Sequence, residues 1–304
     1  MMGMMKVMGI MGRTGIMALT LTLTLTLTGC QKVDMGDWSE DGKVSYSSQE
    51  GNVWLTFTTG VASKAVPLTN QCTRLSVTVF DDAGDKVKTV VQKNGDADFG
   101  YVALMLDEGV YRVVAIAHSS QEGNCTISSL EKVTFASNKV TDTFLYYGTL
   151  DVEGEEDIEE ECVLDRCVAM MHLELASPLP ENIDRLKFYY TGGSSTLNPK
   201  TGYGCVNSKQ TEIRYTTTED GEPVLDYYIY TMPHEAKDQI KLTITALDED
   251  GTQRGTCTMD NVPVEINKQT LWQGSLFGGG GSTSEGGWRI LLNDKWEGEI
   301  VYEW

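Results

Sequence analysis

From residue 53 onward, hydrophobic and polar residues alternate along most of the chain. Val53, Leu55 and Phe57 fall on one side of the first segment, and Trp54, Thr56 and Thr58 on the other. The same period of two recurs where Leu75, Val77 and Val79 alternate with Arg74, Ser76 and Thr78, and further runs cover residues 86–92 and 101–106. Successive side chains of an extended strand point to opposite faces, so this period predicts strands that lay one face on a core. Asp81-Asp82-Ala83-Gly84 and Glu108-Gly109 supply turn residues between them, and a continuous apolar run follows at residues 113–117. The second half repeats the pattern at residues 168–175, 186–190, 227–230 and 240–247. Helical periodicity is weak throughout. β-Branched residues and closely spaced turns predict an all-β chain of antiparallel sandwiches.

The length of 304 residues suggests two such domains. An N-terminal sandwich is expected over residues 52–150 and a C-terminal one over 163–277. Between them, residues 151–162 hold Gly154-Glu155-Glu156-Asp157 and Glu159-Glu160-Glu161. This run lacks the ligand spacing and turn glycine of a calcium loop, and reads as a solvated acidic linker. Val77-Thr78-Val79-Phe80-Asp81-Asp82-Ala83-Gly84 parallels Ile244-Thr245-Ala246-Leu247-Asp248-Glu249-Asp250-Gly251. The parallel reflects either two copies of one sandwich or shared turn chemistry.

Residues 278–304 form a Gly-rich linker and a last strand, in which Trp296, Ile300, Tyr302 and Trp304 share one face. Burying those four side chains contributes roughly 6–12 kcal/mol gross. Such a strand either folds back into its own domain or is donated to a neighbouring subunit by strand addition.

The N terminus changes the setting. Lys6 and Arg13 precede an uncharged stretch ending Leu27-Thr28-Gly29-Cys30, in which leucine and threonine alternate over residues 21–28. It is too short and too polar to span a bilayer, and it reads as a signal peptide over residues 1–29, cut between Gly29 and Cys30. The Leu-x-Gly-Cys ending resembles the lipobox of bacterial lipoproteins, which implies acylation of Cys30. Residues 30–51 are then a polar tether carrying the first domain. Removing Lys6 and Arg13 takes the formal charge from −20 to −22. A surface of that sign repels phosphate backbones, so nucleic acid is not a partner.

Six cysteines remain beyond Cys30: Cys72, Cys125, Cys162, Cys167, Cys205 and Cys257. An oxidising compartment permits disulfides but does not choose among the pairings; Cys72 with Cys125 is the first candidate. His118, His172 and His234 are widely spaced, with no metal-type interval, and no nucleophile elbow, phosphate-cradling loop or zinc-protease signature occurs. No catalytic residue and no cofactor are expected.

Three segments bear a family likeness. Val262-Pro263-Val264-Glu265-Ile266-Asn267-Lys268-Gln269-Thr270, followed by Gly274-Ser275-Leu276-Phe277, resembles the end of the fimbrillin-type domain of Bacteroidales fimbrial proteins. Leu106-Asp107-Glu108-Gly109-Val110-Tyr111-Arg112-Val113-Val114-Ala115 is similar to a strand pair of that family's first domain, and Tyr230-Thr231-Met232-Pro233 to a motif of its second. The likeness covers most of residues 53–277 and points to the FimB-type anchoring subunits. It implies two tandem transthyretin-like Greek-key sandwiches, fimbrial shaft subunits as partners, and an outer-membrane, surface-exposed position at the base or tip of a strand-exchanged pilus. Shaft subunits of that family lose a first strand by cleavage after arginine. Here no arginine lies between Arg13 and Arg74, as expected for a subunit that keeps its first strand and its lipid, although Lys43 and Lys64 leave another protease room. An alternative reading is a surface glycan-binding lipoprotein serving nutrient uptake, with Tyr189, Tyr190, Tyr227 and Tyr228 as a sugar platform; a secreted hydrolase ranks below both.

Overall fold

The computed structural model describes residues 50–61, 64–154, 156–276, 289–294 and 300–301. Among these the chain is all-β, and its only helical pieces are two 3-10 turns at Leu68–Asn70 and Ala136–Asn138. The first sandwich is built from β1 (Val53–Val61), β2 (Lys64–Pro67), β3 (Arg74–Phe80), β4 (Lys86–Lys93), β5 (Tyr101–Leu104), β6 (Gly109–His118), β9 (Thr143–Val152) and β10 (Ile158–Arg166). A small hairpin of β7 (Thr126–Ser129) and β8 (Lys132–Thr134) is inserted between β6 and β9. The eight main strands form one path, β2-β1-β10-β9-β6-β3-β4 with β5 on β1, which doubles over on itself. The core lies between the halves. Val53, Leu55 and Phe57 of β1 and Cys162 and Leu164 of β10 face Leu75, Val77 and Val79 of β3 and Val113, Ala115 and Ala117 of β6. Tyr111 ends this layer, and its hydroxyl donates to the carbonyl of Asp107 at 2.9 Å, which fixes the turn of the Glu108-Gly109-Val110-Tyr111 segment.

The second sandwich holds β11 (Ala169–Leu175), β12 (Arg185–Thr191), β15 (Lys209–Tyr215), β16 (Asp226–Thr231), β17 (Asp238–Leu247), β18 (Gln253–Val264) and β19 (Lys268–Gly274). Two short strands, β13 (Thr196–Asn198) and β14 (Tyr203–Gly204), are inserted after β12. One sheet runs β16-β11-β19 and continues into β20 (Arg289–Asp294) and β21 (Ile300–Val301); the other runs β15-β12-β17-β18. Trp272, Tyr227, Phe188, Tyr190, Leu242 and Ile244 fill the space between them.

The two sandwiches repeat one topology. β5-β1-β10 corresponds to β16-β11-β19 and β4-β3-β6-β9 to β15-β12-β17-β18, with a parallel pair, β1 with β10 and β11 with β19, at the same place in each. The sequence parallel noted above does not follow this repeat. It sets the β3–β4 turn beside the β17–β18 turn, whereas the counterpart of β17 is β6. What the two segments share is turn chemistry. Asp81 and Asp248 each accept from the backbone four residues on, Asp85 N–H at 2.8 Å and Thr252 N–H at 2.7 Å. Gly84 and Gly251 close the turns at φ +85° and +80°, a region that suits glycine because it lacks Cβ.

The acidic run is not a linker. Residues 151–152 end β9, and Ile158–Arg166 is a strand paired in parallel with β1 from Val53↔Ile158 to Thr59↔Leu164. Cys162 and Leu164 point into the core while Glu159 and Glu161 point to solvent, so the carboxylates are the wet face of a strand. The passage between sandwiches is Cys167 and Val168 alone, and both are buried.

A third core closes that passage. The outer face of β3 and β6 carries Phe80, Val114 and Ile116, covered by Ile127, Val133 and Phe135 of the inserted hairpin and by Cys167, Val168, Leu197 and Met232. β8 pairs with β13 of the other sandwich, Leu197 opposite Val133. The apolar run at 113–117 is explained by this arrangement, since β6 is buried on both faces.

Candidate functional site

Sheet edges are where an all-β protein meets another strand, because an edge presents unpaired N–H and C=O groups. The two sandwiches differ at one equivalent edge. In the first, β10 meets β9 only through Asp165 and Arg166. In the second, the corresponding edge of β19 carries β20, antiparallel over six register pairs from Lys268↔Asp294 to Gln273↔Arg289, and β20 carries β21 in turn. Of the four side chains expected on a last strand, Ile300 lies in β21 opposite Leu292. Trp296, Tyr302 and Trp304 lie outside the described residues, as do Gly29 and Cys30.

A cation also bridges the junction between the sandwiches. Arg166 donates to both carboxylate oxygens of Asp142, at 2.7 and 2.9 Å, and to Asn267 Oδ1 of the second sandwich at 3.1 Å. Its guanidinium lies 4.7 Å from the centre of the Phe144 ring. Asn267 reaches it from a positive-φ turn whose N–H donates to the Val168 carbonyl. Sequence reading passed over Arg166. Its signal was there, a cation at the end of Cys162-Val163-Leu164-Asp165-Arg166-Cys167-Val168, set directly before two buried apolar residues.

The residues singled out from sequence are not brought together. Cys72 and Cys125 are both free thiols on opposite sides of the β3–β6 sheet, Cys72 in the first core and Cys125 in the junction core, so the sheet stands between them. Burial pushes the Cys72 and Cys162 thiols up to about 12 and Cys125 up to about 11. Thiols held protonated in this way are poor nucleophiles. His172 is tied on both ring nitrogens, to Asp226 Oδ1 at 2.7 Å and to Gln269 at 2.5 Å, and stacks on Tyr228 with ring centres 4.5 Å apart. His234 contacts Asp238 at 3.1 Å, and neither ring nitrogen of His118 has a partner. Tyr190 and Tyr227 are core residues, while Tyr189 and Tyr228 are exposed on different sheets, so the four tyrosines make no common platform. An acidic hollow at the end of the second sandwich has Asp184 paired with Arg185 and Asp248 with Arg254. Among the described residues, no group of three or more His, Cys, Asp and Glu side chains is placed to hold a metal ion.

The sequence profile of the family described as fimbrillin-A associated anchor proteins Mfa1 and Mfa2 matches residues 45–254. No curated protein matches the chain. Several solved structures share the fold. One, described as a candidate polysaccharide-binding protein of Bacteroides thetaiotaomicron, is 12% identical with a TM-score of 0.56, over 84% of this chain and 99% of that one. A candidate adhesin of Bacteroides ovatus is 13% identical with a TM-score of 0.52, over 83% and 94%. A candidate adhesin of B. thetaiotaomicron is 14% identical with a TM-score of 0.50, over 83% and 97%.

Proposed function

The chain belongs to the family of fimbrillin-A associated anchor proteins, a structural and not an enzymatic family, and on that premise we propose that it is a lipoprotein holding a fimbria to the outer membrane through Cys30. The observation that carries the reading is the position of β1. This strand is sealed on one edge by β10 and on the other by β5 and β2, with Val53, Leu55 and Phe57 in the core. Removing it would open the first sandwich, and a subunit in which β1 stays paired on both edges keeps its N terminus and whatever is attached there. The leader ending Leu27-Thr28-Gly29-Cys30 supplies the attachment, and the absence of arginine between Arg13 and Arg74 spares the tether from arginine-specific cleavage. Acyl chains are sufficient as an anchor. Each buried methylene contributes about 0.8 kcal/mol, and two or three chains together hold firmly where one does not. Among the described residues no helix is long and apolar enough to cross a membrane.

Mass spectrometry of the protein purified from envelopes should find residues 1–29 gone and a diacylglyceryl group plus a third acyl chain on Cys30. Cys30→Ser should move the protein to the soluble fraction. A membrane-bound protein with an unmodified N terminus would sink this reading.

The partner is a shaft subunit, met through backbone pairing at a sheet edge. We assign the C-terminal segment with Trp296, Ile300, Tyr302 and Trp304 as the exchanging strand, because the pairing that this end of the chain adds at the β19 edge has no equivalent at the β10 edge of the first sandwich. Deleting residues 278–304 should abolish capture of shaft subunits by the membrane-bound protein while leaving both sandwiches folded. Undiminished capture would show that the segment serves its own domain only.

A further inference from the structure

In each sandwich the chain enters through the first strand and leaves the two-sheet body through the last, and these two strands lie side by side and parallel. β1 runs with β10 over seven register pairs, Val53↔Ile158 to Thr59↔Leu164, and β11 with β19 over six, Met170↔Gln269 to Leu175↔Gly274. A pull on the entering end of one strand and on the leaving end of its parallel neighbour acts in opposite directions along the two strand axes. The evenly spaced bonds between such strands are then loaded together, and none opens ahead of the others. The same bonds pulled from adjacent strand ends would open one after another.

We infer that the protein carries tension along its chain, with β1–β10 and β11–β19 acting as two shear clamps in series. The direction of load rests on the anchor reading above, membrane at the N terminus and shaft beyond the second sandwich. The geometry itself does not depend on that reading.

Three features place the load on the clamps. Both entering strands are central, β1 flanked by β10 and β5 and β11 by β19 and β16, so sliding either one breaks pairing on both edges. Each also drags core side chains past their neighbours: Val53, Leu55 and Phe57 in one case, Ala169, Met171 and Leu173 in the other. Between the clamps there is almost no slack, since β10 ends at Arg166, β11 begins at Ala169, and the two residues between are buried. β20 is the contrast. It is antiparallel to β19, and a pull from its C-terminal end peels it away pair by pair before the β11–β19 clamp is loaded.

Single-molecule stretching of the mature full-length protein tests this, because forced unfolding reports the barrier rather than the equilibrium stability. One version is held by tags at the N and C termini, the other by the N terminus and a tag inserted in the β9–β10 turn at Gly154. In the second version β1 and β10 are pulled from the same end, Val53 opposite Ile158, and the same pairing is unzipped. The first version should show a weak early detachment followed by two peaks, each the contour of one sandwich, at several-fold higher force than the first sandwich needs in the second version. Equal forces in the two geometries would overturn the proposal. Urea midpoints of the two versions confirm that both are folded. Should the Gly154 insertion fail to fold, a tag beside Met105, at the end of β5 opposite the start of β1, gives the same unzipping geometry. Failure here leaves the acyl analysis of Cys30 untouched, and an unlipidated Cys30 would leave the force ratio untouched.

Discussion

Replacing Arg166 with alanine should destabilise the protein by about 3–5 kcal/mol, the cost of removing one partner of a buried ion pair and leaving the other without compensation. The side chains of Arg166 and Asp142 are 6% and 16% exposed, and their contact is two-pronged at 2.7 and 2.9 Å. A surface pair would contribute at most about 1 kcal/mol, so the measured value discriminates between the two situations. Alanine also takes the guanidinium from the Phe144 ring and from Asn267, which is held at φ +58°. The double variant Arg166→Met with Asp142→Leu should recover most of the loss, because it removes both charges and retains apolar volume. Urea unfolding reads both, as a lower midpoint at unchanged slope for the single variant. A loss of about 1 kcal/mol or less for Arg166→Ala would mean that Asp142 is solvated and that the junction is held by its apolar core alone.

The same residue marks the limit of what the sequence made legible. Strands with one wet and one dry face declare themselves by alternation, and β1 and β3 were readable for that reason. β10 alternates too, but its wet face is so rich in glutamate that composition outweighed period, and the run looked like a linker. The junction core was hidden for a different cause. Phe80 abuts a turn, Ile127, Val133 and Leu197 sit in strands of three or four residues, and Met232 follows a strand end. The three short strands show no period, Phe80 falls on the face of β3 that otherwise reads as polar, and their association is set by β8 pairing with β13 across about 60 residues of intervening chain. The repeated topology came only through the family likeness, because hydrophobic pattern records faces and not neighbours. The Tyr230-Thr231-Met232-Pro233 segment did carry a signal: Met232 is wholly buried in the junction core, and the Tyr230 carbonyl accepts from the Tyr190 hydroxyl at 2.9 Å.

Acidification from about pH 7.5 to about pH 5 should cost the protein about 2 kcal/mol of stability through His118, and this part of the loss should vanish in His118→Leu. His118 ends β6 on the side of the sheet that faces the junction core, 5.6 Å from the Phe135 ring at an interplanar angle of 86°, and neither ring nitrogen has a partner. Burial, aided by the Arg74 charge opposite, lowers its pKa from an ordinary 6.5 to about 4. The sign follows from proton counting. Between those values the unfolded chain binds a proton that the folded chain refuses, so the contribution is complete above pH 6.5 and is lost as pH falls, reaching about 3 kcal/mol near pH 4. The window down to pH 5 lies above the range in which most carboxylates titrate, which keeps their effects apart. Leucine in place of His118 removes a polar group that has no hydrogen bond to lose, so its stability at pH 7.5 should equal or exceed that of the parent. A parent protein with the same urea midpoint at both values would mean that water reaches the imidazole. Because Phe135 of the junction core packs edge-on against this ring, the contact that protonation loads directly is the cover of the junction.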